Sequence, residues 1–369
     1  MKKVLYLTFN DYPSGIYSGQ VIDVCRFWKE ELKAEVSLVA FISLRGFKIN
    51  KQKIVLQFPG AIVLPMFPKA GNWRLNNFLL GRAIRKLNPK VIVARGPFAT
   101  LLALKFREGR KVCFDARGAY TAELREYNVV PDEKIKAEIF ELEKEAVLSS
   151  DYRIAVSEQL VQYWKRSFSY SSADHVVIPC TLNAKTFSGE ESKENYSTDL
   201  QSPVTLVYSG GSADWQSFEA LDKAMHQLLS AQNNLNVILL AKDLPANMKI
   251  FRNFGTRVKT MWLKPEEVKN VLDSCDYGWM VREKSVTNAV ASPVKFAEYL
   301  SGGLKVIISE ELGDYSEFVK QHNAGIIYNE ENIKVLEKVS LDEKVRMKVL
   351  AKTHFMKENY TAHYKKLLQ

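Results

Sequence analysis

Residues 276–309 read DYGWMVREKSVTNAVASPVKFAEYLSGGLKVIIS, and the pattern is that of a strand, a polar loop, a helix and a second strand. Asp276–Val281 is a short apolar, aromatic run of strand type, and polarity returns at Arg282 and Lys284, where the strand opens into a loop. Ser292 followed by Pro293 predicts a helix N-cap with proline at the first helical position, where its missing N–H is harmless. Phe296, Tyr299 and Leu300 fall on one face of that helix, Lys295 and Glu298 on another, and Gly302–Gly303 end it before the strand Leu304–Ser309. Such a unit turns backbone N–H groups and the positive end of a helix dipole toward the mouth of a parallel sheet, close to Arg282 and Lys295, which suits a diphosphate. Glu298, one turn along, suits the vicinal hydroxyls of a ribose. Ser-Pro also opens helices that bind nothing, and a Lys and Glu three apart are often a solvated pair, so the stretch alone leaves both readings open.

The chain has 369 residues, 46% of them hydrophobic, enough for two domains with separate cores. No apolar run reaches the length of a membrane span, and the opening MKKVLYLTF is followed at once by Asn10 and Asp11, so it reads as a first strand and not a signal peptide. The four cysteines are scattered without C-x-x-C pairing, as expected of reduced thiols in a cytoplasmic protein, and they make neither a disulfide frame nor a zinc site. The net charge of +10 is uneven: residues 1–180 hold 28 Lys+Arg against 18 Asp+Glu, and the remainder is balanced. Between Glu35 and Glu108 there is no acidic residue at all, against thirteen Lys and Arg. That asymmetry fits a negative partner, of which an anionic membrane surface met peripherally is one candidate and a lipid diphosphate acceptor another. Nucleic acid is not expected, because the basic stretches lack the aromatic-glycine patterns of RNA-binding modules.

Taken in order, the chain alternates strands and helices. Lys3–Phe9 is a strand whose loop, with Pro13, Ser14, Gly15 and Gly19, leads into a helix through Val21, Val24, Cys25, Trp28 and Leu32. The G-x-G-x-x-G of nicotinamide and flavin enzymes is absent, which weighs against an oxidoreductase. Val36–Ile42 and Ala61–Leu64 are further strands around the acid-free segment Arg45–Lys53. Asn72–Asn88 reads as a basic amphipathic helix, able to lie in a membrane interface or to pack on the sheet. Val91–Ala94 ends at Arg95, and Lys111–Phe114 ends at Asp115-Ala116-Arg117-Gly118, with Glu123 beyond. Charged residues just outside strand carboxyl ends stand where α/β sheets bind ligands, although an Asp and an Arg two apart also often pair with each other alone. After Pro179 the alternation restarts, with Val204–Tyr208 leading into Ser209-Gly210-Gly211-Ser212, a glycine-rich turn whose backbone phosphate oxygens could approach closely. The intervening segment 188–202 is polar and Ser-rich, as a connector would be.

The pattern R-x-x-S-x-x-N-x-x-A-S-P-x-K-F-x-E-Y-L-x-x-G-x-x-V-I, from Arg282 to Ile307, resembles the donor-binding segment of GT-B glycosyltransferases of the retaining family 4, in the variant common among bacterial surface-polysaccharide enzymes. The run VIPCTLNAKTF near residue 180 is similar to the family's interdomain passage, with Cys180-Thr181 in place of Asn-Gly. The resemblance implies two Rossmann-like βαβ domains facing a cleft: an acceptor domain at 1–179, a nucleotide-sugar domain at 180–353, and a last helix at 354–369 crossing back to the first. It implies transfer from a nucleotide-sugar donor to a glycan or lipid-linked glycan acceptor, with retention and without a metal or other cofactor. Of the family's two glutamates the second corresponds to Glu298, while the first falls on Val290, so Asn288 or the 288–292 backbone would take its place. The residues implied at the donor are Gly15, Ser209, Gly210, Gly211, Arg282, Ser285, Asn288, Ser292, Pro293, Lys295 and Glu298. On the acceptor side they are Arg95, Asp115, Arg117 and Glu123, with Asp115, Arg117, Arg282 and Lys295 taking part in catalysis. The family's Arg and Lys after the glycine-rich loop are replaced here by Asp214, Trp215 and Gln216, which leaves Arg282 and Lys295 to supply the charge. Two alternatives remain: a nucleotide-sugar 2-epimerase of the same fold, which needs histidines in the cleft, and a membrane-surface binding protein without turnover.

Overall fold

The computed structural model describes residues 2–127, 132–187, 202–211, 218–242, 244–329, 331 and 335–368. The connector expected over 188–202 therefore lies outside the described residues except at its last residue, and so do Ser212, Asp214, Trp215 and Gln216. The chain forms two compact units: Met1–Asn183 with Val290–Ser292 and Lys357–Gln369, and Ala184–Ala289 with Pro293–Met356. No described helix is long and apolar enough to cross a membrane.

In the first unit β1 (Lys3–Phe9), β2 (Glu35–Ile42), β3 (Ile62–Pro65), β4 (Val91–Arg95), β5 (Lys111–Ala116), β6 (Tyr152–Ala155) and β7 (His175–Val177) form one parallel sheet in the order β3-β2-β1-β4-β5-β6-β7. The strands are apolar on both faces because both are covered. Successive side chains of β1 go to opposite sides: Leu5 and Leu7 join Val39, Phe41, Ile92 and Phe114 in one core, and Val4 and Tyr6 join Leu38, Ala40 and Val93 in the other. Tyr364 and Leu367 of the last helix, Thr361–Leu368, belong to the second of these cores. The segment expected as one helix over 72–88 divides into a 3-10 turn, Ala70–Asn76, and an α-helix, Asn77–Leu87. Its apolar face, with Trp73, Leu80, Ala83 and Ile84, is buried in the core, and Leu75 and Phe78 remain exposed. The acid-free segment after β2 forms a helix of its own, Phe47–Gln57.

In the second unit β8 (Val204–Ser209), β9 (Leu235–Leu240), β10 (Val258–Met261), β11 (Tyr277–Met280), β12 (Lys305–Ile308) and β13 (Gly325–Ile327) form a parallel sheet in the order β10-β9-β8-β11-β12-β13. The helix Val294–Ser301 packs on it through Phe296, Tyr299 and Leu300, all fully buried, and Phe296 stacks on Tyr315 with ring centroids 4.2 Å apart. Gly278 of β11 makes room for this helix, since a Cβ there would fall inside the Tyr299 ring. Each sheet reverses its strand order once, between β1 and β4 in the first unit and between β8 and β11 in the second. Loops leaving neighbouring strands at such a reversal run apart and open a crevice at the strands' carboxyl ends.

Candidate active site

At the reversal of the second unit, Ser209–Gly211 follows β8 and Arg282 follows β11. Tyr208 organises the place: its hydroxyl donates to Gly211 O at 3.2 Å, and the Lys295 ammonium lies 4.9 Å from its ring centroid. Burial pushes the Lys295 ammonium well below the usual lysine range, and the Arg282 guanidinium pushes it in the same direction, while Glu298 offsets part of the effect. Burial likewise raises the Glu298 carboxyl, against the pull of Lys295. Two cations held close together in a desolvated place repel each other until an anion joins them.

Several residues expected at the donor have other work. The Ser209 N–H donates to the Tyr299 hydroxyl at 2.9 Å, and the Gly210 N–H donates to Leu240 O at 3.0 Å. The fork between β8 and its neighbours thus uses these two amides, so a phosphate approaching the Ser209–Gly211 backbone would not take its hydrogen bonds from them. Asn288 is turned into its own loop: its Oδ1 accepts from Arg282 Nη1 at 3.2 Å, its Nδ2 donates to Glu283 O at 3.0 Å, and its N–H donates to Ser285 Oγ at 3.1 Å. It holds Arg282, and Ser285 caps the short turn Val286–Ala289; the direct contact with the sugar proposed for Asn288 does not fit this geometry. The helix starts one residue later than expected, with extended Pro293 (ψ 127°) as its N-cap and Val294 as its first residue. Ser292 is not the N-cap because its hydroxyl accepts the Cys180 N–H at 3.0 Å within the first unit, where Ser157 also donates to Val290 O at 2.7 Å. Gly15 lies in the first unit, exposed at the start of a short turn, and a Cβ there would meet nothing within 4 Å.

At the reversal of the first unit stands a buried charge cluster. Asp115 has no exposed surface and takes the Tyr6 hydroxyl, Arg117 Nη2 at 3.1 Å and Arg117 Nε at 2.9 Å, with Arg95 Nη1 3.8 Å away. Arg95 Nε reaches Asp11 Oδ2 at 3.3 Å. Asp115 and Arg117 were expected to touch the acceptor; an aspartate enclosed by a tyrosine and two guanidiniums instead anchors them, and its acceptor contact is corrected on that ground. Asp11 was missed, since nothing in the sequence separates it from any polar residue after a strand. Arg95 Nη1 and Asp11 Oδ2 are buried and held by these ion pairs without a well-aligned hydrogen bond among the described residues.

Glu123 lies beside this cluster, against Gly118. Burial pushes its carboxyl up to about 7, helped by neighbouring Glu143, and burial pushes Glu143 up to about 7 as well, although Glu143 accepts the Tyr120 and Thr121 N–H groups at 3.1 and 2.8 Å. Carboxyls with raised pKa bind more protons folded than unfolded, so unfolding free energy falls as pH rises from the ordinary carboxylate range through about 7. Glu123→Gln is expected to flatten that fall in urea midpoints measured from pH 5 to 8; an unchanged slope would mean that Glu123 titrates normally.

Among the described residues no group of three or more His, Cys, Asp or Glu is placed to hold a metal ion. Residues 20–185 match the sequence model of the family described as Glycosyltransferase Family 4. No curated protein matches the chain by sequence. Among solved structures it is similar to HepE of Anabaena in complex with UDP, at 13% identity, TM-score 0.70, with 100% of this chain and 99% of that chain covered. It is equally similar to sucrose-phosphate synthase of Thermosynechococcus elongatus, at 14% identity, TM-score 0.70, covering 99% and 98%. A Listeria monocytogenes protein assigned as a UDP-N-acetylglucosamine 2-epimerase follows less well, at 13% identity, TM-score 0.55, covering 100% and 91%. Residues 20–185 thus match a glycosyltransferase family model over a little under half of the chain, and the two parallel sheets give the protein the GT-B fold of these solved structures.

Proposed function

We propose that the protein moves a sugar from a nucleoside diphosphate donor, held by the second unit, to a glycan or lipid-linked glycan acceptor, held by the first, in the assembly of a bacterial surface polysaccharide. The observation that carries this reading is the pairing of Arg282 and Lys295 at the β8/β11 reversal, beside the start of the Val294–Ser301 helix. Charge grows on the diphosphate as the glycosidic bond breaks, and desolvated Lys295, half-buried Arg282 and a helix dipole stabilise that charge without reorganising. Glu298 accepts the ribose hydroxyls. Gly211, exposed at the crevice, lets the diphosphate pass close to the backbone. HepE, of the same fold, binds UDP, which agrees with a donor of this class.

On the acceptor side, Asp11 and Arg95 offer one acceptor and one donor to the attacking sugar, Glu123 stands behind them, and Asp115 with Arg117 keeps Arg95 in place. Retention follows the family resemblance: the leaving phosphate oxygen takes the acceptor hydroxyl's proton on the same face, so no protein nucleophile is called for. The two cations make a metal bridge unnecessary in this reading. An epimerase would need acid and base groups at the donor sugar. The five histidines all pack elsewhere: His175 on Tyr170, His226 on Asn253, His322 on His354, and His363 on Tyr360.

Thermal unfolding of the purified protein with a panel of nucleoside diphosphates and nucleotide sugars tests the donor half. Saturation with the right base raises stability by RT ln(1 + [L]/Kd), about 2.7 kcal/mol at a hundredfold excess over Kd. A protein shown to be folded that shifts with none of them would sink the transferase reading.

A further inference from the structure

We propose that the outer face of the Phe47–Gln57 helix in the first unit docks on an anionic lipid surface. At 100° per residue, Ile49 and Leu56 lie two turns apart on one line of that helix, and Ile54, its fully buried residue, points the opposite way. Ile49 is 63% exposed and Leu56 73%. Lys48 and Lys53, both exposed, flank the line, exposed Lys51 lies farther round the helix, and the helix contains no acidic residue. Core packing does not account for the two aliphatic side chains, because Ile54, with Val55 and Phe47, already supplies the inward contact.

The surroundings extend the same chemistry. Leu44, 54% exposed, and exposed Arg45 precede the helix, and the Lys53 ammonium lies 5.5 Å from the ring of exposed Tyr12. Asp23, which reaches this region through Arg26, is neutralised by it at 3.3 Å, and Arg26 also donates to Gln57 O at the end of the helix. The patch is thus cationic with aliphatic tips. Lysines at its flanks meet headgroup phosphates while Ile49 and Leu56 enter the acyl boundary, an arrangement that nucleic acid, which presents phosphate without aliphatic surface, would leave half used. The other exposed apolar pair, Leu75 and Phe78, is less suited: Arg74 beside it is already paired with Glu138 at 3.0 Å, and Arg82 lies on the Phe78 ring at 4.1 Å.

The proposal is independent of the transfer reaction and is tested with the full chain by co-sedimentation with vesicles of phosphatidylcholine alone or with phosphatidylglycerol. Binding is expected only to the anionic vesicles, weakening as salt approaches about 0.15 M, where the Debye length is about 8 Å. The Ile49→Glu/Leu56→Glu variant, with an unchanged melting profile, is expected to bind about tenfold more weakly, and Phe78→Ser is expected to bind like the parent. No sedimentation with anionic vesicles, parent-like binding by the double variant, loss of binding in Phe78→Ser, or displacement from vesicles by duplex DNA would each overturn it.

Discussion

Lys295→Ala is expected to lower kcat/KM for sugar transfer by about 10²–10³-fold, the range seen when one preorganised group facing transition-state charge is removed. The same change is expected to leave the ligand-free protein at least as stable as the parent. The two results together identify the role. In the free protein the ammonium is desolvated and repelled by Arg282, with Glu298 only offsetting part of this, so its removal relieves an unfavourable arrangement. With a diphosphate in place the charge becomes favourable. The unfolded state binds the Lys295 proton more readily than the folded one, so this group makes stability rise with pH between its folded pKa and the ordinary lysine value near 10.4. A bound diphosphate favours the ammonium and so shifts this pKa back up, which the pH dependence of nucleotide affinity would read. Thermal scans decide the rest: an unchanged or raised melting point with the nucleotide shift lost supports the assignment, and a lowered melting point with the shift intact makes Lys295 structural.

Asp115→Ala is expected to cost about 3–5 kcal/mol of unfolding free energy, the usual penalty for removing one partner of a buried ion pair. Asp115 is fully buried and has Arg117 at 2.9 Å, Arg95 at 3.8 Å and the Tyr6 hydroxyl upon it. Without the carboxylate, two guanidiniums face each other across a desolvated gap. Urea unfolding measures the loss, and a double-mutant cycle with Arg117→Met should recover much of it, because the second change removes a charge the first left unpaired. If Asp115→Ala stayed within about 1 kcal/mol of the parent while the KM for acceptor rose, a direct acceptor contact would be the better account.

The strands were legible because parallel strands covered on both sides are short β-branched runs, and the chain punctuates them with charge at their carboxyl ends. Arg95, Arg117 and Arg282 stood out for that reason, and the strand order placed Arg95 and Arg282 at the two reversals. Three things were not legible. Amide use is a matter of three-dimensional partners: nothing in Ser209-Gly210 announces that a tyrosine ninety residues away takes one N–H and Leu240 the other. Burial of a charge is equally silent, so Asp115 read as a ligand contact and Asp11 as an ordinary loop residue. The Phe47–Gln57 helix escaped notice because its apolar residues lie on both faces, which cancels the periodicity by which a helix is recognised.

The Tyr299 hydroxyl, which takes the Ser209 N–H and donates to Trp279 O at 3.3 Å, sits where β8 and β11 separate, and its ring occupies the space that Gly278 leaves. Positions 278 and 299 are therefore coupled in what evolution can try. A side chain at 278 demands a smaller residue at 299, and a smaller residue there strands an amide and a carbonyl at the floor of the second unit's crevice. Drift at either position alone meets a barrier, so sequences descending from this one would keep the glycine and the tyrosine as an inherited pair, even where the sugar, the base and the acceptor have all changed.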